Sequence, residues 1–227
     1  ESVEALVNEK TCAIILEPVQ GEGGIHLATM DFLQKVRKLC DQRDILLIFD
    51  EIQCGMGRSG SYYVWQQFQV KPDILTTAKA LGGGLPVGAF ITTNQVAKAS
   101  LVPGDHGSTY GGNPLVCAGV IASIKIMDDR QILAHVKEMT SYLEETLDKF
   151  VKEYHFVIDR RGLGFMQGLE LDASVAAGEV VSMALKNGLV ILSAGGNVLR
   201  FLPPLIAEKK DIDQMNQFLH EVFDSFK

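Results

Sequence analysis

Lys79 lies where an apolar, β-branched stretch of the sequence gives way to three consecutive glycines, Gly82 to Gly84. A lysine at the end of an apolar stretch usually extends its ammonium group into water. If the side chain is buried instead, the neutral amine is favoured, and this nucleophile forms Schiff bases with carbonyl compounds. The glycines favour a functional interpretation, because so flexible a backbone is costly unless a turn requires it.

Acidic side chains follow two further apolar stretches. CAIILE ends in Glu17 and continues into a glycine-rich turn that contains Glu22, and ILLIFD ends in Asp50. A carboxylate at the end of a buried strand costs free energy unless a cation or hydrogen-bond donors meet it. Asp50 is therefore either the cap of the following turn or a charge directed into a site, and Glu22 is either a solvated turn residue or a ligand group. Gln53 and Arg58 are compatible with an ordinary solvated loop.

Four polar side chains occupy a glycine-rich loop before a predicted helix at Pro114: His106, Ser108, Thr109 and Asn113. Loop amides, hydroxyl groups and the start of a helix favour the binding of a phosphate group. The GKS/T signature of a Walker motif is absent, and the alternative is an ordinary helix N-cap.

The elements that would position these groups alternate between strands and helices in the first half of the chain. Continuous apolar runs predict strands covered on both faces, as in a parallel sheet, at 12–17, 45–50, 74–78 and 87–92. Helical spacing of apolar residues predicts a helix within 31–44, capped by Thr29 or Asp31, and a largely buried helix is predicted at 114–127. This βαβ pattern places ligands at the carboxyl ends of the strands.

The second half of the chain is predicted to form a smaller α+β domain. Its helices are expected at 131–153, 174–187 and 209–226, and its strands at 155–159, 164–171, 189–193 and 198–202. The boundary is expected near 127–130, which gives domains at 1–127 and 128–227.

Composition argues against several classes of function. The net charge of −7 disfavours a nucleic-acid-binding protein, which needs a basic face. No apolar run is long enough to cross a bilayer and no signal peptide is recognisable, so we expect a cytoplasmic protein without a membrane partner. The four cysteines form no CxxC pair, so neither a disulfide framework nor a metal site is predicted.

Five stretches of the sequence together resemble one family, the class III aminotransferases. They are EPVQGEGG, FDEIQCGMGRSG, TTAKALGGGLPVGA, HGSTYGGNPL and NVLRFLPPL, in the order and spacing of that family. The family uses pyridoxal 5′-phosphate and has the α/β fold called fold type I. The resemblance covers essentially the whole chain. It implies an incomplete, mostly parallel sheet in the second part of the cofactor-binding large domain, at 1–127, and a C-terminal small domain at 128–227.

The resemblance assigns roles around the cofactor. Lys79 matches the lysine that holds pyridoxal phosphate as a Schiff base and then moves a proton as general base and acid. Asp50 matches the carboxylate that keeps the pyridine nitrogen protonated. Ile52 is expected to pack on the ring face, Gln53 to lie near the ring hydroxyl, and Glu51 to belong to the same cofactor-binding group.

The resemblance also implies a partner subunit and a substrate-binding group. Thr109 matches a residue that binds the cofactor phosphate of the neighbouring subunit, and Ser108 matches one near the substrate, so a homodimer with a shared active site is expected. Arg200 matches the arginine that grips the α-carboxylate of 2-oxoglutarate or glutamate, and the alternative is a surface arginine at a strand end. Glu22 matches an acid that pairs with this arginine when the other substrate is bound.

The activity that the resemblance implies is transfer of the δ-amino group of N-acetylornithine to 2-oxoglutarate, in arginine biosynthesis. Alternative amino donors within the class are ornithine, N-succinyl-diaminopimelate and N-succinylornithine. The family's chains are longer at the N-terminus, where they carry a phosphate cup and an aromatic residue that stacks on the cofactor ring. A second hypothesis is therefore a truncated, non-catalytic piece that folds but does not retain pyridoxal phosphate.

Overall fold

The computed structural model describes residues 2–227, and these form two compact units. The first comprises residues up to 18, 28–56 and 61–130, and the second comprises 19–27, 57–60 and 131–227. The sequence prediction had assigned the two short loops of the second unit, which carry Glu22 and Arg58, to the first domain. The division into a cofactor domain and a small domain remains a prediction.

The first unit contains a four-stranded sheet in the order β1-β2-β3-β4. The strands are β1 (Ala13–Leu16), β2 (Leu46–Asp50), β3 (Ile74–Thr77) and β4 (Ala89–Thr92). The first three are parallel and β4 is antiparallel to β3. Because β2 and β3 run in the same direction, with Asp50 opposite Thr76, their carboxyl ends meet at one edge.

The helices of the first unit show where sequence patterns succeed and fail. They are α1 (Ser2–Leu6), α2 (Met30–Arg43), α3 (Trp65–Phe68), α4 (Asn94–Ser100) and α5 (Pro114–Asp129). Thr29, rather than Asp31, caps α2 by accepting a hydrogen bond from the Phe32 N–H. The prediction that α5 is largely buried is wrong for the described residues, where only Val116 of this helix is buried. Its apolar composition indicated burial, but only one side of the helix packs within this unit.

The second unit contains an antiparallel sheet in the order β5-β6-β8-β7, with three helices. The strands are β5 (Val157–Leu163), β6 (Met166–Leu171), β7 (Leu192–Ala194) and β8 (Val198–Phe201), and the helices are α6 (Ile132–Glu153), α7 (Ala177–Lys186) and α8 (Lys209–Phe223). The predicted strand at 155–159 ends too early, because its continuation through Arg160 and Arg161 lacks an apolar pattern. None of the helices described over residues 2–227 is long and apolar enough to cross a membrane.

The side-chain amide of Asn197 connects three parts of the second unit. Its Nδ2 lies 3.2 Å from the carbonyl of Leu171 and 2.7 Å from the carbonyls of Asp172 and Val175. Its Oδ1 accepts a hydrogen bond of 2.7 Å from the Ala177 N–H, at the start of α7. The turn before β8 is thereby fixed to the end of β6 and to α7.

Replacement of Asn197 by alanine should leave several main-chain polar groups without partners. We expect Asn197→Ala to lower the free energy of unfolding by about 3 kcal/mol, measured by urea denaturation. The exposed Asn187, for which the structure shows no side-chain hydrogen bond, is the control, and Asn187→Ala should change the stability by less than about 0.5 kcal/mol. Equal effects of the two substitutions would contradict this role for Asn197.

Candidate active site

Asp50 caps the turn after β2, one of the two roles that its sequence position suggested. It is the last residue of β2 and is partly buried. Its Oδ1 accepts a hydrogen bond of 3.0 Å from the Ile52 N–H, which caps the following turn. Its second carboxylate oxygen has no hydrogen-bond partner within residues 2–227. One oxygen of Asp50 therefore remains available to a donor at the carboxyl edge of β2 and β3.

Lys79 follows β3 by two residues and leaves the sheet at the same edge as Asp50. It begins a single 3₁₀ turn, Lys79–Gly82, and its side chain is exposed. Its ammonium group makes no hydrogen bond or ion pair in the described part of the chain. Residues 2–227 therefore do not bury the Lys79 side chain, and the hypothesis that burial makes Lys79 nucleophilic is not supported.

The backbone of Lys79 adopts a conformation that few lysines adopt. Its φ is +49°, in the left-handed region, and Gly83 and Gly84 continue with φ of +58° and +102°. A Cβ at Gly83 would lie 2.4 Å from the Ser123 hydroxyl, so this glycine is needed for close approach as well as for its φ. For a non-glycine residue the left-handed conformation costs roughly 1 kcal/mol, and such strain is often found at functional sites.

The strain at Lys79 predicts an unusual order of stability between two substitutions. Lys79→Gly should be more stable than Lys79→Ala by about 1 kcal/mol in thermal or urea unfolding, because glycine adopts positive φ without strain. The exposed Lys125, inside α5, is the control. There the order should reverse, with alanine more stable than glycine by about 1 kcal/mol. The same order at both sites would contradict a strained Lys79.

Glu51 is fully buried and its carboxylate binds the chain itself. It accepts hydrogen bonds from the N–H groups of Val64 and Trp65, the second at 3.0 Å, and its own N–H donates to the Thr76 carbonyl at 3.0 Å. Burial raises the pKa of Glu51 to about 7, although the two N–H donors act in the opposite direction. Glu51 therefore closes the loop after β2. This structural role differs from the cofactor binding that the family resemblance implied. Contact of Glu51 with a cofactor stays a prediction.

The raised pKa of Glu51 predicts how stability depends on pH. Folding moves this pKa from 4.5 to about 7, so the folded protein holds the proton more tightly than the unfolded chain. Stability from this group is present below the unfolded pKa and is lost as the pH rises through the folded pKa. Between about pH 4.5 and 7, the free energy of unfolding of the wild type should fall by about 2 kcal/mol relative to Glu51→Gln.

Urea denaturation across this pH range measures the effect. The exposed Glu9 provides the control, because Glu9→Gln should leave the pH profile of the wild type unchanged. A Glu51→Gln profile parallel to that of the wild type would show that Glu51 does not titrate as proposed.

The remaining predicted cofactor residues of the first unit lie on two loops. Ile52 and Gln53 follow Glu51 and are partly buried. Ser108 and Thr109 are exposed in the loop before α5, where the Ser108 hydroxyl accepts a hydrogen bond of 2.9 Å from the Gly111 N–H. Thr109 has no hydrogen-bond partner among residues 2–227. The roles of these four residues stay predictions.

The N-cap interpretation of the loop before α5 is confirmed for Asn113. Its Oδ1 accepts hydrogen bonds of 3.1 Å and 3.2 Å from the N–H groups of Leu115 and Val116. This leaves the hydroxyl groups earlier in the loop outside the cap.

Arg200 and Glu22 form an ion pair in the second unit. Arg200 lies in β8 with only 7% of its side chain exposed, and its Nη1 donates to Oε1 of Glu22 at 2.7 Å. The alternative of a surface arginine at a strand end is therefore wrong. The Glu22 side chain is 71% exposed, so one member of the pair can turn into solvent while the other stays within the sheet.

Arg58 is a second embedded cation that the sequence prediction missed. Its Nη1 donates to the carbonyls of Pro203, at 2.5 Å, and Phe165, at 3.3 Å, and burial lowers its pKa to about 10. The interpretation as a solvated loop residue is wrong. In the sequence, the two glycines that flank Arg58, Gly57 and Gly60, could have indicated a tight turn at this position. Their φ values of +89° and +85° show such a turn.

Over residues 2–227 no group of three or more His, Cys, Asp or Glu side chains is arranged to hold a metal ion.

Comparison with known proteins identifies the family of this chain. The profile described as "Aminotransferase class-III" matches residues 1–223, so the chain belongs to the class III aminotransferase family. The chain is 47% identical over 227 residues to the acetylornithine aminotransferase of Methanocaldococcus jannaschii, with 100% of this chain and 56% of that protein covered. It is 46% identical to the acetylornithine/succinyldiaminopimelate aminotransferase of Yersinia pestis, with 94% and 53% covered.

Solved structures show the same fold. The N-acetylornithine aminotransferase of Stenotrophomonas maltophilia is similar with a TM-score of 0.85 and 37% identity, covering 95% of this chain and 57% of that one. The ornithine delta-aminotransferase of Plasmodium falciparum gives a TM-score of 0.92 at 30% identity, covering 99% and 59%. The chain thus has the fold type I architecture in part, and it spans about half the length of the curated relatives that it matches.

Proposed function

We propose that this protein transfers the δ-amino group of N-acetylornithine to 2-oxoglutarate and forms glutamate, as a step of arginine biosynthesis. The observation that carries the proposal is the common sheet edge of Asp50 and Lys79, each with an uncommitted polar atom. Family membership and the names of the relatives support the choice of reaction and donor.

The residues at this edge fit pyridoxal phosphate. The second Asp50 oxygen is a suitable acceptor for a protonated pyridine nitrogen, and Lys79 offers a primary amine. In the loop before α5, the exposed Thr109 hydroxyl would donate to a phosphate group. When bound, this cofactor supplies an aldehyde for amine exchange and a ring that withdraws electrons. By family resemblance, Thr109 would serve the site of a second subunit, so a homodimer belongs to the proposal.

The side chains of this chain have separate roles in the reaction. Lys79 Nζ would take the proton from the carbon that bears the amino group and return a proton to the former aldehyde carbon of the cofactor, on the other side of the transferred nitrogen. The Asp50 carboxylate would form a charged hydrogen bond with the protonated pyridine nitrogen and hold it in place. Arg200 would bind a carboxylate of glutamate or 2-oxoglutarate with its planar guanidinium, and Glu22 would occupy that guanidinium while the amino donor is present.

The alternative donors remain within the same chemistry. The Yersinia pestis relative carries succinyldiaminopimelate in its name beside acetylornithine, and one structural relative is named for ornithine. The δ-amine, the diaminopimelate amine and the ornithine amine differ little at the reacting carbon, so Lys79 and Asp50 would serve each of them. A cytoplasmic location is part of the proposal, and a folded piece that does not retain the cofactor is the competing hypothesis.

Reduction with borohydride tests whether this chain selects Lys79. The purified chain would be mixed with pyridoxal phosphate, reduced, digested and mapped by mass spectrometry. We expect one dominant pyridoxyl adduct on Lys79, lost in Lys79→Ala and reduced about tenfold in Asp50→Asn, because a lost ion pair weakens cofactor retention by about 1.4 kcal/mol. The exposed Lys71 is the control, and Lys71→Ala should keep the adduct.

Scattered labelling of many lysines, or none, would contradict cofactor selection by this chain and favour the non-catalytic hypothesis. Titration of the chain loaded with pyridoxal phosphate, before reduction, with N-acetylornithine, ornithine and N-succinyl-diaminopimelate then ranks the donors. The donor that protects Lys79 from reduction at the lowest concentration is the one that the site prefers.

A further inference from the structure

Glu22 lies at the tip of a small hairpin, residues 19–27, that belongs to the second unit. Its two sides are joined by the antiparallel bridge between Val19 and Leu27 and by a hydrogen bond of 2.9 Å from the Gln20 N–H to the His26 carbonyl. At the tip, the Glu22 carbonyl accepts a hydrogen bond of 2.6 Å from the Gly195 N–H, in the turn between β7 and β8. The 19–27 hairpin is thus attached to the sheet that carries Arg200.

The sheet has a notch that receives this hairpin. Gly168 of β6 is paired directly with Arg161 of β5 on one side and with Arg200 of β8 on the other, so the two arginines project from the same face. A Cβ at Gly168 would lie 3.1 Å from Ile25 and 3.0 Å from Val198. Ile25 is completely buried and therefore occupies the space that the missing side chain of Gly168 leaves between the arginines.

Arg161 holds the hairpin from the other side of the notch. Its Nε donates to the Gly24 carbonyl at 2.8 Å, while its Nη1 is fixed by Asp159, at 3.2 Å, and by Glu170. The two carboxylates orient the guanidinium, so its Nε–H points to the hairpin backbone.

The hairpin backbone is strained where it is held. Ile25 has φ of +58°, a conformation that β-branched residues rarely adopt, and Gly24 has φ of +104°. A Cβ at Gly24 would lie 2.8 Å from the Gly195 carbonyl oxygen, so the hairpin tip and the β7–β8 turn touch through their backbones. Such strain persists only where the surroundings enforce it, here through the notch and Arg161.

We propose that Arg161 and the Gly168 notch are positioning elements that hold Glu22 on Arg200 and so set how strongly Arg200 binds a dicarboxylate. The inference rests on the proposed role of Arg200 and deepens it. With the hairpin docked, Glu22 exchanges with an incoming carboxylate by side-chain rotation alone. With the hairpin released, Glu22 competes less, and the affinity of Arg200 for the dicarboxylate rises.

Glutarate, a dicarboxylate that carries no keto group for transamination, is the probe, and its affinity for the 227-residue chain is measured by calorimetry. Arg161→Lys keeps the charge and removes the Nε donor, whereas Gly168→Ala crowds Ile25 out of its notch without changing any charge. Each should raise the glutarate affinity about fivefold, as should Glu22→Gln, and combination with Glu22→Gln should add no further gain.

Two matched controls separate positioning from general destabilisation. Arg160 precedes Arg161 on the same strand, is similarly buried, and pairs with Glu144 and Asp148 instead of the hairpin, so Arg160→Lys should keep the wild-type affinity. Gly178 of α7 has open space around an added Cβ, so Gly178→Ala should do the same. Amide hydrogen exchange at Gly195 should accelerate in Arg161→Lys and in Gly168→Ala. It should stay at the wild-type rate in Arg160→Lys and in Gly178→Ala.

The outcomes distinguish this inference from the proposed function. If Arg200→Gln binds glutarate as well as the wild type, the role of Arg200 fails and the positioning role fails with it. If binding depends on Arg200 but neither Arg161→Lys nor Gly168→Ala raises the affinity, the positioning role alone is overturned. Faster exchange at Gly195 with unchanged glutarate affinity would also overturn it, because docking of the hairpin would then be structural only.

Discussion

The end of β2 imposes the constraint on which the first unit depends. A buried strand here runs directly into two carboxylates, and the chain must satisfy both while it turns away from the sheet. Glu51 meets the N–H groups of Val64 and Trp65 and joins the end of β2 to the carbonyl of Thr76 in β3. Since Glu51 closes the loop, Asp50 uses only one oxygen for the turn, and its other oxygen has no hydrogen-bond partner among residues 2–227.

In the second unit, arginine side chains bind main-chain groups and fix loops to the sheet, as carboxylates do in the first unit. Arg58, Arg161 and Arg200 are each embedded in or beside the antiparallel sheet, but their partners differ. Arg58 and Arg161 donate to main-chain carbonyls and so fix loops to the sheet, whereas the partner of Arg200 is an exposed carboxylate, which a substrate carboxylate would replace in the proposed reaction. A guanidinium suits both tasks because its donors are rigidly arranged and it stays charged when partly buried.

The sequence predicts best those features that depend on neighbours along the chain. Continuous apolar runs located β1 to β4, and a polar residue at or just after the end of such a run made Asp50 and Lys79 candidates for a site. Sequence patterns fail where the deciding contact is distant. Arg161 lies within β5 although it breaks the apolar pattern, because its charge is compensated by Glu170 on the next strand and by the backbone of the 19–27 hairpin. The sequence pattern also fails to show that Arg58 is embedded, because its hydrogen-bond partners lie far away along the chain.

The exposure of Lys79 changes the physical account of its reactivity. Desolvation by residues 2–227 does not activate this amine, so its proposed selection among the lysines of the chain must come from positioning. Its strained φ and the glycines after it direct the chain away from the sheet at the edge where Asp50 has an oxygen without a hydrogen-bond partner among residues 2–227. A ligand anchored there by Asp50 would meet Lys79 at a high effective concentration, and such proximity lowers a barrier without any change in the intrinsic nucleophilicity of the amine. Strain in the backbone and an uncommitted carboxylate oxygen thus replace burial as the basis for the proposed chemistry of Lys79.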